Sequence, residues 1–204
     1  LSDDHWYAYE TPCFQSVLDY QKFSEDPAEH EAICKQLYTQ LGRLFFPVGR
    51  HDDWQQVLMI KGEAGTGKSS FGEIFQRLFD PELLGILNNN TQEDFGVANL
   101  IVDGKPVKLV ICFEVRSSFA IDQSSFQSMI SGETISANVK HGRAVTGRWT
   151  SPMLLIGNEL PGNFKDNSGS VSRRFLTFEF GREVADGHKD GMLKKRILTR
   201  ELSQ

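Results

Sequence analysis

The chain has 204 residues and a mass of 23.0 kDa, room for one α/β domain with a real core and a modest helical addition. Hydrophobic residues make up 39% and no apolar run nears the roughly 20 residues that cross a bilayer, so no membrane partner is expected. A net charge of −5 argues against a surface that wraps nucleic acid all round, but leaves room for a narrow basic track.

Cys13, Cys34 and Cys112 are odd in number and widely spaced, so by spacing they form neither a zinc site nor a disulfide framework. Unpaired thiols suit a reducing, intracellular setting, and Cys112 lies in an apolar run as plain core. His5, His30, His51 and His188 are scattered and receive no role. A first residue of Leu points to a piece of a longer protein.

In chain order, the first two dozen residues have no clear period and read as a lead-in. Ser24 to Pro27 reads as a helix start, with a capping residue, early acids and Pro in the first turn; Ile33, Leu37, Leu41 and Leu44 follow as one apolar stripe. Residues 1–45 thus form a lead-in and helical segment, 46–182 the core, and 183–204 a charged C-terminal helix around Met192 to Leu202. Gly49 to Asp53 is a loop. Val57 to Ile60 is a short buried strand, Ser69 to Phe79 a helix ended by Asp80 and Pro81, and Val107 to Phe113 a second buried strand. Asp122 caps a short helix ending near Gly132. Ile135 to Trp149 reads as two strands around His141 and Gly142. Pro152 to Gly157 is a further apolar run, Pro161 to Ser170 a surface loop, and Phe175 to Phe180 an alternating strand. Short apolar runs separated by helices predict an α/β fold: a largely parallel central sheet covered on both faces, with ligands beyond the carboxyl ends of its strands.

Chemistry-bearing residues follow those runs. Gly62, Glu63, Ala64, Gly65, Thr66, Gly67, Lys68 and Ser69 match GxxxxGK[ST] in full, between a strand and a helix, with Ser70 next. The glycines let backbone N–H groups curl around phosphates, and the helix N-terminus adds partial positive charge. Lys68 is placed for the β- and γ-phosphates of a nucleotide such as ATP, and Ser69 for Mg²⁺. Glu114 ends the second strand, where a carboxylate can hold Mg²⁺ through water and polarise an attacking water. Asn158 ends the third run; an amide there either closes a turn or acts as a phosphate sensor. Arg173 and Arg174 precede the last strand and are either solvated or a finger that reaches a neighbouring subunit's nucleotide, with Arg174 favoured. Lys140, His141 and Arg143 crowd a turn between two strands. Trp149 nearby either stacks on a base or packs beneath the turn.

The order of these motifs resembles the superfamily-three helicases of DNA viruses and mobile elements, and within them the ATPase half of poxvirus and giant-virus primase-helicases. The resemblance runs from about Ile33 to Phe180 and rests on GEAGTGKSS (62–70), VICFE (110–114), SPMLLIGNELP (151–161) and SRRF (172–175). It implies an AAA+-like core, a homo-hexamer around a central channel, and ATP-driven movement along single-stranded DNA at a viral replication site in the host cell. It implies Lys68 and Ser69 as the phosphate-loop pair, Glu114 as catalytic acid, Asn158 as first sensor, Arg174 as finger, and Lys140 to Arg143 as the hairpin carrying DNA contacts. Many members have tandem acids where Val115 follows Glu114 here. The primase or other replication domains that accompany such motors are expected outside these residues. An RNA helicase of the same superfamily and an ATP-dependent ring-forming scaffold are the alternatives.

Overall fold

A computed structural model describes residues 10–87, 97–117, 119, 121–137, 144–162, 164–166 and 169–201. Two helices come first, α1 (Pro12–Gln21) and α2 (Pro27–Arg43). Then follow β1 (Val57–Gly62), α3 (Lys68–Gln76), β2 (Leu84–Leu87), the two-residue strands β3 (Ile101–Val102) and β4 (Lys105–Pro106), and β5 (Leu109–Val115). The chain continues through α4 (Gln123–Ser131), the antiparallel pair β6 (Thr134–Ala137) and β7 (Val145–Arg148), β8 (Met153–Gly157), β9 (Phe175–Phe180) and a short α5 (Leu193–Arg196).

The central sheet has the order β2-β5-β8-β1-β9, and every neighbouring pair is parallel. Its strands are buried on both faces, which is why they read as continuous apolar runs. On β1, Leu58 and Ile60 face a core shared with Leu18 of α1, Leu37 of α2 and Phe71 of α3. Val57 and Met59 face the opposite core, with Phe126 and Met129 of α4 and the buried Trp149 at the foot of the β6–β7 pair. The three-layer α/β architecture expected from the sequence is therefore present. Trp149 is core, its indole N–H donating to the Ser151 carbonyl at 2.7 Å.

Four local features differ from expectation. The lead-in contains α1, whose Phe14, Leu18 and Gln21 share one buried face. Thr11 offers this helix no side-chain cap; instead the Glu201 carboxylate, from the far end of the chain, accepts from the Cys13 and Phe14 amides at 2.6 and 2.9 Å. β2 is a further sheet strand, only four residues long. β5 begins two residues later than expected and runs past Glu114 to Val115. The final helix is one turn of α5 continued by a π-helical turn over Ile197–Glu201.

Asp122 caps α4 as expected, its carboxylate accepting from the Ser124 and Ser125 amides, each at 3.0 Å. Partial burial alone would raise its pKa, but hydrogen bonds from Ser124 and Ser125 outweigh that and hold it at about 2. A folded-state pKa below the unfolded value of about 3.9 stabilises the protein fully above that value, and the contribution fades as pH falls toward 2. Asp122→Ala is expected to cost about 1 kcal/mol at neutral pH. Denaturant titrations at pH 7 and near pH 2.5 check this: the gap between variant and parent should shrink in acid, and an equal gap at both would remove the charge from the account.

Candidate functional site at the carboxyl edge of the sheet

The loop after β1 takes its shape from its glycines. Gly65 and Gly67 have φ of +79° and +87°, a conformation that side chains oppose. At Gly62 an added Cβ would fall 2.4 Å from the Phe180 carbonyl oxygen, so the end of β9 can lie against the loop only because no side chain is there. The loop delivers the chain into α3, whose first residue is Lys68.

Lys68 is only 6% exposed, and its Nζ donates to the Glu63 carbonyl across the loop at 2.9 Å. Among the described residues no carboxylate forms an ion pair with it. A buried ammonium without a counter-charge is costly unless an anion completes its surroundings. The N-terminus of α3 turns unpaired N–H groups toward the same place.

Glu114 reaches this edge through a defect in β5. Cys112 is level with Leu155 and Val115 with Gly157, so three steps on β5 answer two on β8, a bulge of one residue. By simple alternation Glu114 would follow Val110 and Cys112 into the core below the sheet. The bulge gives that place to Val115 and leaves Glu114 exposed, with φ at +57°. A left-handed backbone at a non-glycine residue costs on the order of 1–3 kcal/mol, and such strain gathers at functional sites. Gly157 allows the bulge, since a Cβ there would meet the Val115 carbonyl oxygen at 2.3 Å.

β8 lies between β5 and β1, and Gly157 is level with both Val115 and Lys61. Asn158, exposed, therefore emerges between Glu114 and the loop that follows Gly62. With neighbouring strands about 4.8 Å apart, the ends of β5, β8 and β1, which carry Glu114, Asn158 and the loop leading to Lys68, lie side by side over roughly 10 Å. Ser69 and Ser70 are exposed in the first turn of α3.

Arg174 is elsewhere. Phe175 is level with Val57, so Arg174 lies at the amino edge, about 17 Å along β1 from the loop that follows Gly62. Whereas a finger would be held out, Arg174 is 9% exposed. It donates to the Ser170 carbonyl and, at 3.3 Å, to the Gln55 side chain, and its Nε has no partner among the described residues. Burial, with Arg173 beside it, lowers its pKa. Arg173 is the exposed member of the pair. Lys140, His141 and Arg143 lie outside the described residues, although the strands on either side pair as expected.

One group at the loop was not foreseen. Gln21, at the end of α1, is buried, and its amide donates to the Thr66 carbonyl at 2.9 Å and to the Arg182 carbonyl at 3.2 Å, while its oxygen accepts from the Arg182 amide at 3.0 Å. The strap it holds crosses the loop after β1: the Val184 amide donates to the Gly65 carbonyl at 3.0 Å, and the Tyr20 hydroxyl donates to the Glu183 carbonyl at 2.9 Å. Spacing from Phe14 and Leu18 places residue 21 on the buried side of α1, so a carboxamide closing that stripe was the available signal.

Residues 60–174, more than half of the chain, match the family of unknown function DUF5906. The chain belongs to that family. This DUF5906 chain is also similar in fold to solved structures, among them the apo NrS-1 C-terminal region (TM-score 0.63, 18% identity, 95% of this chain and 44% of that one). A second is JCV helicase bound to an acetamide compound (TM-score 0.50, 11% identity, 93% of this chain and 50% of that one). The fold is thus a viral-helicase-like one, and the DUF5906 chain spans at most half the length of these structures.

Gln21→Ala is expected to destabilise the protein by about 1–3 kcal/mol, because buried groups on Thr66 and Arg182 lose their partner. It should also speed hydrogen exchange selectively at the amides following Gly65. Exchange read by mass spectrometry checks it, and a folded variant with unaltered exchange there would reduce Gln21 to packing.

Proposed function

We propose that this chain is the ATP-hydrolysing motor of a DNA helicase, acting on single-stranded DNA as a homo-hexameric ring of the superfamily-three type. The observation that carries the reading is Lys68: a buried cation without an acid partner among the described residues, set in a loop of the GxxxxGK[ST] pattern. The loop from Gly62 to Ser70 would bind the phosphates of ATP, with Lys68 on the β- and γ-groups. Ser69 and Glu114 would hold Mg²⁺, which when bound neutralises phosphate charge. Glu114 would also accept the proton of the attacking water, and Asn158 between them would hold that water or a phosphate oxygen. A single carboxylate at the end of β5 would then do the work that tandem acids share elsewhere in the superfamily.

The fold shared with JCV helicase supports the helicase reading. The poxvirus and giant-virus primase-helicase resemblance supports DNA over RNA, with Lys140, His141 and Arg143 carrying strand contacts and replication domains outside these residues. Arg174 or its exposed neighbour Arg173 would act on the next subunit's nucleotide.

ATP turnover with and without single-stranded DNA, across protein concentration, is the direct test. Turnover should rise with both, and Lys68→Ala should abolish it; normal turnover in that variant would sink the site. Turnover indifferent to DNA and concentration would favour an ATP-dependent scaffold. For the arginine pair, inactive Arg173→Ala and Arg174→Ala proteins are each mixed with inactive Glu114→Gln protein. Partial recovery of activity is expected for the finger residue, since mixed rings then contain some intact sites. No recovery with either, in rings shown to be mixed, would refute action in trans.

A further inference from the structure

We propose that Asp19, His30 and Cys34 form a transition-metal site of the zinc class, remote from the phosphate loop's own chemistry. The cysteines do not form such a site among themselves; the fold supplies what their spacing lacks. His30 and Cys34 are four residues apart on α2 and so share one face of that helix. Asp19 approaches from α1. His30 Nε2 lies 3.4 Å from Asp19 Oδ1 and 3.5 Å from Cys34 Sγ, and all three ligand atoms lie within 4.8 Å of one another.

Those two separations are what a metal requires. With Zn–N and Zn–O near 2.0–2.1 Å and Zn–S near 2.3 Å, the edges of a tetrahedron are about 3.3 Å for N to O and about 3.6 Å for N to S. The helices therefore hold the imidazole at ligand spacing from both other groups. Thiolate with imidazole selects zinc, cobalt or copper(I) over magnesium or calcium. Cys34 is buried, His30 half-buried and Asp19 exposed, so a metal here would be sheltered on one side and keep a fourth position open to water. An outer partner exists too: the Gln15 side-chain amide donates to Asp19 Oδ1 at 2.7 Å and orients it.

Loading changes one hydrogen bond in a defined way. The Phe23 amide donates to His30 Nδ1 at 3.2 Å, which leaves the proton of the neutral ring on Nε2, facing Asp19. A metal on Nε2 moves that proton to Nδ1, and the Phe23 amide must let go. Cys34 gives up its thiol proton to solvent on binding. Three metal–ligand bonds replace the Phe23–His30 hydrogen bond and the long His30 contacts to Asp19 and Cys34. The site sits two residues before Gln21 on α1, so the metal would stiffen the helix that holds the phosphate loop.

The test is a Co²⁺ titration of the chelator-treated, reduced protein. Expected are one equivalent bound, a thiolate-to-cobalt charge-transfer band, displacement by Zn²⁺, and a shift of the Phe23 amide resonance. Cys34→Ser should abolish the band. His30→Gln, which keeps the thiol, should weaken binding by about 100-fold or more, since even outer-shell partners cost 10–100-fold. Absence of the band, or a band equally strong in both variants, would overturn the proposal and leave a hydrogen-bonded seam between two helices. Because neither nucleotide nor DNA is added, this result is independent of the helicase reading.

Discussion

A lysine ammonium buried without a carboxylate partner among the described residues is the constraint around which the carboxyl edge of this sheet is arranged. Lys68 is placed there by the start of α3, and α3 starts there because Gly65 and Gly67 turn the chain through backbone conformations that side chains oppose. The Glu63 carbonyl takes one of its three donors. Water could satisfy the others at a surface, but this group is nearly excluded from it. The surrounding polar groups do not relieve the charge either, since peptide dipoles at a helix N-terminus favour anions, not cations. Under the proposed reading, cation and dipole both favour the same ligand, an anionic phosphate group.

The acid needed beside such an anion cannot come from an ordinary strand position. In a parallel sheet buried on both faces, successive side chains enter one core or the other, and a carboxylate in either is penalised. β5 resolves the conflict by inserting a residue: Val115 takes the core position and Glu114, still within the strand, is exposed. The left-handed backbone at Glu114 is the cost, tolerated because Gly157 on β8 leaves room for the displaced Val115 carbonyl. Strain, bulge and glycine form one device spread over two strands.

This explains what was legible beforehand and what was not. The glycine-rich turn after β1, the two-faced sheet, the cap at Asp122 and the end of β8 at Gly157 depend on local patterns within a few residues, so the chain itself displays them. The bulge does not, because the run Leu109 to Phe113 is apolar throughout and gives no sign of where pairing with β8 slips. α1 was passed over because its stripe is short and its N-terminus is capped by Glu201, nearly the whole chain away. The partners of Gln21 and the Asp19, His30 and Cys34 cluster depend on segments far apart in sequence meeting, Gln21 with Thr66 and Arg182 and the cluster across α1 and α2, not on spacing along one helix. The burial of Arg174 follows from Gln55 and Ser170, contacts that no motif encodes.

Geometry also limits where the arginine pair can act. β9 and β1 are parallel and in register from Phe175 with Val57 to Phe180 with Gly62, so the start of β9 and the phosphate loop are at opposite ends of one strand length. An arginine side chain spans about 7 Å, less than half of the roughly 17 Å that separates them. Arg173 and Arg174 therefore do not reach their own chain's loop. Any part they take in phosphate chemistry requires a second copy, presenting its carboxyl edge to this amino edge. A contact between unlike edges is heterologous: repeated, it closes into a ring or runs on as a filament, but it does not stop at two. The buried Nε of Arg174, without a partner among the described residues, is the atom that such a contact would have to reorganise.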